Sequence, residues 1–304
     1  MTRSEPTAAA RTAFVLGGGG KWGAVEVGML QALTDAGIRA DRVLGTSIGA
    51  INGAAYCADP TAEGLDRLER LWRDAAELRV FGGSLIGRAR DLVRMRHALI
   101  DPAPLADLLR RTLPTERIED LGVPFACVAA CIERAAERWF DHGPLVEALM
   151  ASSAVPGLFP PVEVDGEHHY DGGLVDSVPV SRAIAAGATT VYVLQVGRLE
   201  APLRPPERIH ETALIAFEIA RRHRFATTMA NLPSGVRVHV LPSANPVGFD
   251  DRRQLRFSSL GDASGLVASA RAATEAYLDG EAHAADAGAA EQDERPGGDE
   301  GDAG

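Results

Sequence analysis

The 304-residue sequence has little cysteine, few aromatics and no long apolar run. Each shortage removes a class of protein. The three cysteines, Cys57, Cys127 and Cys131, show no metal-ligand spacing, and an odd number cannot all pair. They fit buried thiols in a reducing compartment, with no disulfide framework, no metal and no cofactor. No stretch reaches the roughly 18–20 consecutive apolar residues that span a bilayer. The early run AFVL stops at glycines before it could form the core of a signal peptide. The chain is expected to be cytoplasmic, with peripheral membrane contact left open. Basic charge is also short: 31 Lys and Arg stand against 42 Asp and Glu, a net charge of −11. The arginines are not interleaved with stacking aromatics, so nucleic acid is not an expected partner. Oligomeric state is not legible.

The negative charge is concentrated. From Glu281 to Gly304 there are eight acidic residues against one arginine, and no large apolar side chain. Such a segment cannot bury enough surface to offset its ordering entropy, and 281–304 is expected to be a disordered, solubilising tail. Residues 1–11 are expected to be a flexible N-terminus, and 12–280 a single domain.

Within that domain strands and helices alternate, the signature of an α/β fold with a mostly parallel sheet covered on both faces. TAFVL predicts a strand and Trp22–Ala36 a helix ended by Gly37. DRVLG is a second strand running into the small-residue helix TSIGAINGAAY. A helical, arginine-rich section runs from Pro60 to Pro114, within a lid-like section expected at 60–120. Within it Arg88, Arg90, Arg94, Arg96 and His97 alternate with apolar residues, either as a basic flap or as a solvated helix. Further on, VPFACVAACIE pairs with ERWFDH, and Asp165-Gly166 predicts a hairpin turn. TTVYVLQV is an almost wholly apolar strand. A helix from Glu207 to Asn231, a strand GVRVHVL and a helix from Asp262 to Asp279 complete the domain.

Two glycine-rich segments carry the chemistry. Gly18, Gly20 and Gly23 satisfy G-x-G-x-x-G between a strand and a helix, which taken alone suggests a dinucleotide. GTSIG, Gly45 to Gly49, fits G-x-S-x-G at a strand-to-helix junction, where a sharp turn presents the serine hydroxyl above the sheet. If the first two strands are neighbours, the glycine loop lies beside Ser47. Its N–H groups, with that of Ile48, then become donors to an oxyanion. The dinucleotide reading needs an acidic residue at the end of the second strand, where Gly45-Thr46-Ser47 stand instead. A Walker loop is absent. Ser47 could equally be a plain helix cap. For a base, none of the eight histidines stands where a triad would need it. Asp171, directly after a strand and followed by Gly172 and Gly173, is the better candidate, its alternative being an ordinary turn aspartate.

GGGGKWG, GTSIG and DGG in this order, with ASSAVPGLFPPVEV, DGGLVDSVPV and GATTVYVLQV, closely resemble the patatin-like phospholipase family over Thr12 to Val196. The resemblance implies a three-layer α/β/α domain and a lipid acyl hydrolase acting through a serine–aspartate dyad without histidine. Ser47 would be the nucleophile, Asp171 the proton acceptor, and Gly18, Gly19, Gly20 and Gly23 the oxyanion element. Substrates would be lipids or other acyl esters. The family usually has Arg or Lys just before the last loop glycine, where this chain has Trp22, with Lys21 one place earlier. Glu26 stands where many relatives carry histidine. A catalytically silent lipid-binding or regulatory protein of the same fold, and a dinucleotide-binding oxidoreductase, are the alternatives.

Overall fold

The computed structural model describes residues 12–77, 100–196, 203, 205–206, 209–244 and 263–293. Its centre is an eight-stranded sheet. The strands are β1 (Thr12–Leu16), β2 (Arg42–Thr46), β3 (Phe125–Cys131), β4 (Ala136–Phe140), β5 (Val162–Val164), β6 (Glu167–Asp171), β7 (Thr190–Leu194) and β8 (Arg237–Val240). Their order is β5-β6-β3-β2-β1-β7-β8, with β4 pairing β3 off this path. The run from β3 to β8 is parallel throughout, whereas β4, β5 and β6 are antiparallel to their neighbours.

Side chains of successive strand residues leave opposite faces of the sheet, and this divides the core. In β1, Phe14 and Leu16 join one apolar cluster, while Ala13 and Val15 join another. β2 does the same with Val43 and Leu44. The first cluster is roofed by α1 (Ala24–Asp35), α2 (Ile48–Ala58), α3 (Ala62–Glu77), α4 (Ala103–Thr112), α5 (Leu145–Ser152) and α8 (Ala263–Asp293). The second receives α6 (Val180–Ala185) and Phe225 of α7 (Ile209–Ala230). The result is the expected three-layer α/β/α arrangement. Full burial of side chains such as Phe14, Leu16 and Leu44 contributes about 1.5–3 kcal/mol each.

The DG turn forms as its chemistry requires: Asp165 and Gly166 both take positive φ, 53° and 79°, the backbone of a type I′ hairpin. The first helix departs from its expected start, because one 3-10 turn, Gly20–Gly23, precedes α1. The last helix departs further, continuing to Asp293 through the first part of the expected tail. Residues 281–293 are rich in alanine, which has the highest intrinsic helix propensity, although they lack an apolar face. The expected flexible N-terminus, the rest of the acidic tail and the basic segment carrying Arg88, Arg90, Arg94, Arg96 and His97 lie outside the described residues. None of the described helices is long and apolar enough to cross a membrane.

Candidate functional site

The site follows from the pairing of β3. One edge of this strand holds β4, from Cys127 to Cys131. The other edge is shared: β2 runs along its first half, ending with Thr46 opposite Val128, and β6 along its second, ending with Asp171 opposite Ala129. A parallel strand and an antiparallel strand thus bring their C-terminal ends together. Ser47, the residue after Thr46, donates its hydroxyl hydrogen to Asp171 Oδ2 at 2.6 Å.

Ser47 sits at φ 57° and ψ −125° as the cap before α2, a backbone conformation that costs a non-glycine residue of order 1–3 kcal/mol. Its surroundings hold it there. Ser152, at the end of α5, accepts from the Ser47 N–H at 2.9 Å, and its hydroxyl donates to the Val128 carbonyl at 2.7 Å. The flanking glycines are steric necessities. A Cβ on Gly45 would lie 2.5 Å from Ala50 Cα, and one on Gly49 would lie 2.5 Å from the Leu16 carbonyl oxygen. Ser47 is not a simple helix cap, since its side chain makes no capping bond to α2.

Asp171 is only 2 % exposed. Its Oδ1 accepts from the Gly173 N–H at 2.7 Å, and its own N–H donates to the Ala154 carbonyl at 2.9 Å. Burial raises its pKa from 3.8 to about 6, against the lowering effect of the bonds from Ser47 and Gly173. A Cβ on Gly172 would fall 2.1 Å from the Val128 carbonyl oxygen, so DGG lets the chain leave β6 hard against β3. Asp176, a few residues on, is also buried, and burial raises its pKa to about 6 against the opposing Arg224 charge. Its carbonyl accepts from the Thr46 hydroxyl at 2.8 Å, which ties the end of β2 to the segment after β6.

The glycine loop departs in part from expectation. The Gly17 N–H donates to the Leu194 carbonyl at 2.9 Å and the Gly18 N–H to the Ser177 carbonyl at 3.1 Å. Gly18 is therefore a structural strut and does not aim its N–H at the serine, because it must close the gap between β1 and the segment after Asp171. Among the described residues Gly19 and Gly20 show no such bond, and Ile48, as first residue of α2, has no intrahelical acceptor for its N–H. Gly20 takes φ 56°, and a Cβ on Gly19 would overlap Val196. Arg221 of α7, itself paired with Glu218, reaches the Gly18 carbonyl at 3.3 Å.

Beneath the loop, Asn52 Nδ2 donates to the Gly23 carbonyl at 2.9 Å and to Glu26 Oε2 at 2.7 Å, while its Oδ1 accepts from the Trp72 indole at 2.9 Å. Glu26 is fully buried, and burial holds its pKa well above the ordinary 4.5. Burial thus favours the protonated form of this carboxyl, and none of the described residues places a cation against it. The side chain of Lys21 lies outside the described residues.

Among the described residues no histidine is hydrogen-bonded to Ser47 or Asp171. The end of β2 offers no acid to a ribose, so the dinucleotide arrangement is not formed. A shallow apolar cleft, open in part to solvent, is lined by Ile48, Ile51, Trp72, Leu105 and Leu109. Ser152, Asn52, Trp72, Asp176 and Arg221 were not anticipated from sequence. Only ASSAVPG, beside the expected helix end, marked the region of Ser152.

A family model described as Patatin, patatin-like phospholipase, matches residues 14–184. Over 187 residues the chain is 32% identical to patatin-like phospholipase domain-containing protein 6 of Homo sapiens, and 31% identical to lysophospholipase nte1 of Aspergillus terreus. It is 30% identical over 206 residues to an uncharacterized NTE family protein of Mycobacterium tuberculosis. These stretches cover 61%, 62% and 67% of this chain, but only 13%, 12% and 54% of the relatives.

Proposed function

The chain belongs to the patatin-like phospholipase family, and on that premise we propose that it is a lipid acyl hydrolase in which Ser47 is the nucleophile and Asp171 its base. The observation that carries this reading is the buried 2.6 Å bond from Ser47 Oγ to Asp171 Oδ2. Oγ attacks the ester carbonyl carbon while its proton passes to Asp171. The carbonyl oxygen becomes an oxyanion facing the N–H groups of Gly19, Gly20 and Ile48. Collapse expels the alcohol, which takes the proton from Asp171 and leaves an acyl-enzyme. Water repeats the sequence and releases the acid.

An ordinary aspartate, with a pKa of about 3.9, is a weak base for an alcohol. The desolvated Asp171 is a stronger one, and with a pKa near 6 it remains mostly ionised at neutral pH. The apolar side chains of Ile48, Ile51 and Trp72 next to the serine are chemically suited to contact with hydrocarbon. The lysophospholipase similarity makes single-chain phospholipids the first substrates to try.

A fluorophosphonate probe should label Ser47, and a panel of lysophospholipids, diacyl phospholipids and neutral glycerides should be hydrolysed by the parent alone. Labelling that persists in Ser47→Ala, or ester hydrolysis that persists in folded Asp171→Ala, would overturn the assignment.

A further inference from the structure

A second cluster of chemical groups lies in the same sheet, farther from the end of β2. Cys131 closes β3 and stands opposite His169 in register, while Glu167 lies two residues before His169 and so shares its face of β6. Their ligand atoms, one from each side chain, lie within 4.8 Å of one another. Tetrahedral zinc holds thiolate, imidazole and carboxylate donors about 3.3–3.6 Å apart, given bonds of about 2.0–2.3 Å. Closing the difference needs rotamer adjustment of about an ångström, without movement of the strands.

The imidazole is the independent sign. His169 is 1 % exposed, and neither ring nitrogen has a hydrogen-bond partner among the described residues. Phe140 meets the ring edge-on and gives the nitrogens nothing to bond. A buried polar group without a partner costs of order 1–3 kcal/mol, and here it faces a thiol and a carboxylate. The adjacent His168 is not in this state, since its ring bonds Glu133 at 2.7 Å.

A cation already visits the other two donors. Arg134 Nε donates to Cys131 Sγ at 3.4 Å, and the same guanidinium pairs with Glu167 at 3.0 Å. Both Arg134 and Glu167 are partly exposed, at 45 % and 30 % of their side chains. The arginine can swing to solvent and open a path from that side to the buried sulfur and imidazole.

We propose that Cys131, Glu167 and His169 form a binding site for a divalent cation of the zinc class, with Arg134 as the counter-charge it displaces. Binding forms bonds from thiolate sulfur, an imidazole nitrogen and a carboxylate oxygen to the metal, and the thiol proton is released to solvent. A fourth position is left to water. Soft sulfur with nitrogen and oxygen favours zinc over magnesium or calcium. The linear sequence hides this set because Cys131 and the β6 residues meet only through strand register. The inference does not rest on the proposed hydrolase mechanism.

The test uses the reduced full chain without a polyhistidine tag, titrated with Zn²⁺ by calorimetry and with Co²⁺ by absorption. The expected result is one equivalent of Zn²⁺ and a thiolate-to-cobalt charge-transfer band. Cys131→Ser should abolish the band. Glu167→Gln should weaken binding at least about tenfold, the range found even for outer partners of metal sites. Arg134→Ala should tighten it, and His168→Gln should leave it unchanged. The proposal fails if the parent gives no charge-transfer band, if binding survives Cys131→Ser, or if Arg134→Ala does not tighten it. Should Cys131→Ser not fold, the parent's band and the response of Glu167→Gln, whose side chain is partly exposed, decide the question.

Discussion

Ser47 and Asp171 are separated by 124 positions in the chain and by 2.6 Å in space, because β2 and β6 end against consecutive residues, Val128 and Ala129, of the same edge of β3. The two side chains are therefore held together by backbone pairing. A site built on strand ends keeps its geometry more tightly than one carried on loops alone.

Asp171 must be ionised to accept a proton, and burial places its pKa at about 6. Activity should therefore rise through about pH 6 and level off above it. The check is kcat/KM for a neutral ester, whose acid limb should fall well above the 3.8 of an ordinary aspartate. The same shift means that the folded state binds the proton more tightly than the unfolded chain. The contribution is present below about pH 4 and lost as pH rises through about 6. Asp171→Asn should be inactive yet more stable than the parent at pH 8, by up to about 3 kcal/mol.

Strain at Ser47 makes a separate prediction. A glycine there relaxes the positive φ, whereas alanine does not. Both variants should be inactive. By urea denaturation Ser47→Gly should be at least as stable as Ser47→Ala, even though glycine enlarges the entropy of the unfolded chain.

Ser152 touches no substrate in this scheme but holds the Ser47 N–H and the Val128 carbonyl together. Ser152→Ala leaves both buried groups unpaired, at a cost of about 1–3 kcal/mol. It should lower kcat at least about tenfold, because small displacements of a nucleophile are costly, and leave KM nearly unchanged. A loss confined to KM would show that the elbow does not depend on this serine.

Burial favours the protonated form of Glu26, which glutamine mimics, so Glu26→Gln should keep activity. The sign of its pH effect follows from a folded pKa held above 4.5. The neutral carboxyl contributes fully below about pH 4.5, and its contribution declines as pH rises toward the folded pKa. Melting temperatures of parent and Glu26→Gln should be close at pH 4 and diverge in favour of the variant at pH 8.

The pieces legible in the sequence were those whose demands are local. GTSIG and DGG announce backbone that only glycine permits, and collisions of a Cβ with Leu16 and Val128 show why. The Asp165-Gly166 turn and the layer order were legible for the same reason. What could not be read depends on register. Nothing in ASSAVPG states that Ser152 will meet the Ser47 N–H, and nothing in GGGG states that the Gly18 N–H is spent on Ser177. Only the pairing of β3 with both β2 and β6 reveals that Cys131 stands beside His169. The last helix runs on past Asp279 because an alanine-rich stretch sustains a helix without an apolar face.

One contact links the two ends of the fold. A Cβ on Gly28 of α1 would lie 2.1 Å from the Val267 carbonyl oxygen of α8, so these helices touch backbone to backbone. α1 follows directly from the glycine loop, and its neighbour is the last helix described. The loop's first helix is thus supported by a residue 239 positions farther along the chain. Such long-range closure favours slow folding. It also means that the position of the loop beside Ser47 depends on the docking of a helix far along the chain.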